Sequence, residues 1–200
     1  MARKPAELTV NRQDILLAAA RVFHERGYHR SKMEDIAREV DLTAGSLYHH
    51  FPEGKQEILL AVLIEGLDHI STEIDAIIAS DQQPAEKLRA AVAAHIIGVT
   101  NNVSIGAAMV FEIRTMLDIP EVREAYVLRR DRFEQQFRAI IEHGMACDVF
   151  KVSDHKLFVR MILGAHNWVG VWFREGGRLT GQEIAAQMSE WFLTALQYQE

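Results

Sequence analysis

Apolar residues recur at steps of three and four along most of this chain, and extended alternating runs of Val, Ile and Thr are missing. That period sets one apolar stripe on each of a series of helices and predicts an all-α protein. A first helix is expected from about Asn11, an N-cap with Asp14 three residues on, to Gly27, with Ile15, Ala19, Val22 and Phe23 as its buried face. Two short helices follow. Ser31 and Glu34 read as a capping box for the first, which buries Met33, Ile36, Ala37 and Val40. Asp41-Leu42 makes the turn, and Thr43 caps the second, whose Leu47 and Phe51 point inward.

A long helix from Lys55 to about Ala79 carries Ile58, Leu59, Val62, Leu63, Leu67, Ile70, Ile74 and Ile77 on one stripe. Pro84 opens the next, which reaches about Val99, and shorter and longer helices are expected over Ile105 to Leu117 and Glu121 to Gly144. Ser153 or Asp154 caps another that ends at Gly176-Gly177, and Thr180 with Glu183 caps the last, through about Tyr198. Nine helices result.

The short second helix of the hairpin holds the chemistry. Ser46, Tyr48, His49 and His50 are left facing outward, and a merely structural hairpin has no need for so many exposed hydrogen-bonding and aromatic groups on so short a helix. Such a helix suits the DNA major groove.

The string Gly45-Ser46-Leu47-Tyr48-His49-His50-Phe51, followed by Lys55, resembles the recognition helix of the TetR family of bacterial transcriptional repressors. The resemblance runs from Asn11 to about Leu63, and the segment Phe51 to Lys55 is one residue longer than the commonest family spacing. It implies a nine-helix TetR-like fold: a helix-turn-helix head over residues 1–55 on a ligand-binding and dimerisation domain over residues 56–200. The expected DNA-binding residues are Thr43, Ala44, Gly45, Ser46, Tyr48, His49, His50 and Lys55. Gly45 would permit close backbone approach, Tyr48 and His49 would meet base edges, and Thr43, His50 and Lys55 would meet phosphates.

The last two helices have wide apolar faces that include Trp172, Trp191 and Phe192. They could simply pack on each other; the resemblance implies that they also pair with their copies in the four-helix bundle of a homodimer. The string from Asn167 to Thr180 is similar to TetR regulators that answer to acyl-coenzyme A esters, which would make Trp168 a pocket or interface residue. The arginine that some steroid-catabolism members carry one turn earlier is replaced by Gly164. A drug-type hydrophobic effector controlling efflux genes is the rival, and an effector-binding protein whose head no longer reads DNA is a reading of a different class. Repression is expected over activation. An apolar effector cavity is expected around Met109 to Met116, lined by Phe111 and Met116. Arg114 there either pairs with Glu112 or Asp118 or receives a thioester carbonyl or phosphate. His95 and His166, in apolar helices, could meet there or in the core, but two imidazoles without a carboxylate or thiolate make a poor metal site, so no metal and no cofactor are expected.

Composition refines this in three places. The chain has 200 residues, 48% of them hydrophobic, ample for a packed core. Its net charge of -6 hides an asymmetry: residues 1–55 hold 9 basic against 8 acidic side chains, and residues 56–200 hold 13 against 20. An acidic body would repel DNA, leaving the near-neutral head to approach it. The one cysteine, Cys147, excludes an internal disulfide and a Cys-rich zinc site. No run approaches the roughly 20 apolar residues of a membrane span, and no apolar leader follows Arg3-Lys4, so a cytoplasmic protein is expected. A nucleophile elbow, a phosphate-binding glycine loop and His-Glu-x-x-His are all missing from the sequence, and Cys147 near His143 and His155 has no evident orienting partner. An enzyme is not expected.

Overall fold

A computed structural model of the chain describes residues 10–105, 117 and 120–197. Among the described residues it is built of α-helices: α1 (Arg12–Arg26), α2 (Met33–Glu39), α3 (Ala44–His50), α4 (Lys55–Ala79), α5 (Pro84–Asn101), α6 (Pro120–Ala146), α7 (His155–Trp172) and α8 (Gly181–Gln197). A further helical turn opens at residues 103–105. The remainder of the helix expected over Ile105 to Leu117 lies outside the described residues, Leu117 itself excepted.

Local signals explain most boundaries. Asn11 caps α1 by accepting from the Asp14 N–H at 2.9 Å while its own N–H donates to the Asp14 carboxylate at 3.2 Å. Gly27, at φ 76°, ends the helix in a region that L side chains rarely enter. Thr43 Oγ1 accepts from the Ser46 N–H at 3.1 Å and starts α3, and Asp41, at φ 53°, makes the turn before it. Asp154 and Thr180 cap α7 and α8 in the same way. The start of α2 differs from expectation. Ser31 is buried and donates to the Tyr28 carbonyl at 2.7 Å, so Lys32 becomes the N-cap and its N–H donates to Asp35 instead. Burial took the serine out of play. The seventh helix also stops early, at Trp172, where Phe173 turns into an extended conformation before the glycines.

Two apolar cores result, and α4 serves both. Ile58, Leu59, Val62 and Leu63 pack with α1, with Met33 and Ile36 of α2, and with Leu47 and Phe51. Leu67, Ile70 and Ile74, further along the same helix, enter the larger core formed with α5, α6, α7 and α8. The expected division after residue 55 thus falls at the first turn of a helix about 37 Å long that runs through both units. Val122 of α6 also reaches the head core. Polar side chains fasten α4 to α6: Arg129 to Asp68 at 3.1 Å, Arg132 to Asp75 at 2.6 Å, and Gln136, which donates to the buried Ser71 carbonyl at 2.8 Å.

Candidate functional site

The head presents one short helix on rigid supports. Leu47 and Phe51 are fully buried, which anchors α3 by its inner side and turns the other side out. Thr43, Gly45, His49 and His50 are exposed, Tyr48 is 49% exposed, and Ala44 and Ser46 are half-buried. The outward set forms one continuous surface of hydroxyl, phenol and imidazole groups, able to donate or accept at base edges and phosphates. Gly54, at φ 71°, lets the chain turn from α3 into α4 beside the Tyr48 ring.

Lys55, expected at a phosphate, is held by the protein's own carbonyls. Its ammonium donates to the Tyr28 carbonyl at 2.6 Å and the Ser31 carbonyl at 2.9 Å, and stands 4.2 Å from the centre of the Tyr28 ring. It ties the first turn of α4 to the link between α1 and α2. Arg12, absent from the expected set, makes a comparable tie. Its guanidinium lies 4.6 Å from the centre of the Phe51 ring and pairs with Glu65 of α4 at 3.0 Å. A basic residue at the first position of a helix gave no sequence signal for this, because both partners are remote in the chain.

In the body, His95 of α5 and His166 of α7 do meet: their Nδ1 atoms are 3.0 Å apart. Phe133 stands edge-on to His95 at 4.9 Å between ring centres, while Phe137 and Phe192 stand 5.8 and 5.6 Å from His166. Burial pushes the His95 imidazole down to about 4 and holds His166 well below the usual histidine range, so both are neutral at pH 7. One ring therefore donates its Nδ1–H to the other. The Nε2 of His166 has no hydrogen-bond partner among the described residues. Among the described residues no group of three His, Cys, Asp or Glu side chains is assembled to hold a metal.

Trp168 lies on the outer side of α7, 57% exposed, in a stripe with Leu157, Met161 and Trp172, and Trp191 of α8 is exposed as well. Phe111, Arg114 and Met116 lie outside the described residues. A chamber that sequence reasoning missed lies between head and body. Gln13 and Leu16 of α1 face Val62, Glu65, Gly66, His69 and Ile70 of α4, with Gly98, Val99 and Asn102 of the α5 end and Ile105 beyond it. The glycines Gly66 and Gly98, inside two apolar stripes, were the available signal.

Residues 15–62 match the family described as bacterial regulatory proteins, tetR family, and residues 81–196 match the Tetracyclin repressor-like, C-terminal domain. The chain belongs to the TetR family. A relative, the HTH-type transcriptional repressor KstR2 of Mycolicibacterium smegmatis, is 27% identical over 186 residues, 92% of this chain and 89% of the relative. The TetR-family regulator PfmR from Thermus thermophilus superposes with a TM-score of 0.84 at 31% identity, covering 94% of this chain and 100% of that one. AibR, in complex with isovaleryl coenzyme A and operator DNA, superposes with a TM-score of 0.78 at 26% identity, over 90% of this chain and 96% of AibR. Membership in the TetR family makes this chain a DNA-binding transcriptional regulator. No helix among the described residues is long and apolar enough to cross a membrane.

Proposed function

We propose that the protein is a homodimeric cytoplasmic repressor in which the head, residues 1–55, reads a near-palindromic operator and the body, residues 56–200, releases it on binding an acyl-coenzyme A. The observation that carries this reading is the pairing of an outward Tyr48-His49-His50 face with a body akin to AibR, which holds both isovaleryl coenzyme A and operator DNA. Two copies of α3 would enter successive major grooves about one helical turn apart. Thr43 and His50 would meet phosphates, Tyr48 and His49 base edges, and Ala44, Gly45 and Ser46 allow the helix start close approach. Lys55 acts one step back, by holding α4 against the α1–α2 link.

The exposed stripe of Leu157, Met161, Trp168 and Trp172 on α7, with Trp191 on α8, is the surface that the second copy covers. Trp168 belongs to that interface in this reading. His95 and His166 hold the body core, and their shared hydrogen bond fixes α5 against α7.

Selection from random duplex DNA followed by anisotropy titration tests the proposal. A near-palindrome should be enriched, Tyr48→Ala should weaken it by about 1–3 kcal/mol, and one of butanoyl-, octanoyl-, benzoyl- or palmitoyl-coenzyme A should release it while free coenzyme A does not. Enrichment of no sequence would end the operator reading; failure of every thioester would end the ligand assignment.

A further inference from the structure

At the boundary between head and body, α1 and α4 leave a gap. Leu16 of α1, Val62 and Ile70 of α4 and Val99 of α5 give the chamber apolar walls. Gly98 leaves no slack on its side, since a Cβ there would come within 3.0 Å of the Ile70 side chain. About 80 Å³ is deep enough to hold the centre of a water-sized group, inside about 600 Å³ of space that runs out to solvent. The enclosed part is small beside the open part, which suits a short group better than a long one.

One wall residue connects this space to the recognition helix. Glu65 lines the chamber and accepts from Arg12 Nε at 3.0 Å. The same guanidinium stacks on Phe51, which terminates α3. Two contacts therefore lead from the chamber to the buried end of α3.

We propose that this chamber is the effector site, that it takes the short acyl group of a coenzyme A thioester, and that filling it separates α1 from α4 and re-aims α3 through Arg12. The inference rests on the protein being an acyl-coenzyme A-responsive regulator. The apolar walls suit an aliphatic chain of a few carbons, with the coenzyme A portion outside in solvent. The Glu65 carboxylate opposes a free carboxylate in the chamber, whereas the side-chain amides of Gln13 and Asn102 at its rim suit a neutral thioester carbonyl. Gln13 and Leu16 are on the helix that must yield as the ligand enters. The ligand shifts the head only by its difference in affinity between the two arrangements.

Calorimetric titration of butanoyl-coenzyme A, palmitoyl-coenzyme A and butanoate into the full chain tests this, with operator release followed in parallel. Butanoyl-coenzyme A should bind and release DNA, while butanoate should do neither and palmitoyl-coenzyme A should bind at least tenfold more weakly. Gly66→Leu fills the space and should weaken butanoyl-coenzyme A at least tenfold with operator binding retained; Gly66→Ala, a smaller change, should weaken it several-fold and serves if the leucine variant does not fold. Arg12→Gln should bind butanoyl-coenzyme A like the parent but lose at least tenfold of its effect on operator affinity. If folded Gly66 variants bind the thioester as the parent does, the site is elsewhere and the regulator reading stands. An Arg12→Gln protein that releases DNA normally overturns the relay. A parent chain that binds no acyl-coenzyme A overturns both the effector reading and the ligand class of the chamber.

Discussion

Acidification should loosen the body through His95 and His166. The folded chain keeps both imidazoles neutral, with His95 pushed down to about 4 by burial and His166 also well below 6.5 by burial and by the neighbouring His95. Unfolded, each titrates near its ordinary value of about 6.5. A depressed histidine contributes fully above the unfolded value, and its contribution is lost as pH falls from there toward the folded value, because the unfolded chain then binds more protons. For His95 alone, the linkage between pH 7 and pH 5 works out to about 2 kcal/mol of lost stability. His166 adds a loss of the same sign. Urea unfolding followed by far-ultraviolet circular dichroism at the two pH values measures the change, with His95→Phe as reference. The variant should lose about 2 kcal/mol less than the parent over the same interval, whatever its stability at pH 7. Equal pH dependence in parent and variant, or a parent more stable at pH 5, would refute a neutral buried pair.

Lys55→Ala removes the donor from two part-buried carbonyls, so thermal or urea unfolding should show a loss of about 1–3 kcal/mol, while the salt dependence of operator binding stays near that of the parent; a clear drop in that slope would restore the phosphate role. Trp191→Glu should split the proposed dimer, and sedimentation should then report the 22.7 kDa chain mass in place of twice that value. Gly144→Ala drives a Cβ into the Phe150 ring, which is buried; a cost of about 1–3 kcal/mol in urea unfolding is expected, and a neutral result would mean that the ring can move aside freely.

The recognition helix could be read from the sequence because its determinants are local. Thr43 caps its own third residue, Leu47 and Phe51 are four positions apart on one face, and the exposed side chains are what remains. The same locality explains why the span of α4 and the N-caps of α7 and α8 were legible. Where the structure adds to what the sequence showed, a remote partner had intervened. Ser31 looked like a cap but is buried against the Tyr28 carbonyl, and Lys55, expected at phosphate, also donates to carbonyls 24 and 27 positions away.

Residue spacing within one or two turns was enough to set the helix positions, the polarity of each face and the groups offered to DNA. It could not show that His95 and His166 share a hydrogen bond across 71 positions, that Arg12 joins Phe51 to Glu65, or that α1, α4 and the end of α5 leave a chamber between head and body. Those features depend on the angle and distance at which helices cross. Such distances are set by the packing of every side chain between the helices, and no single segment encodes them.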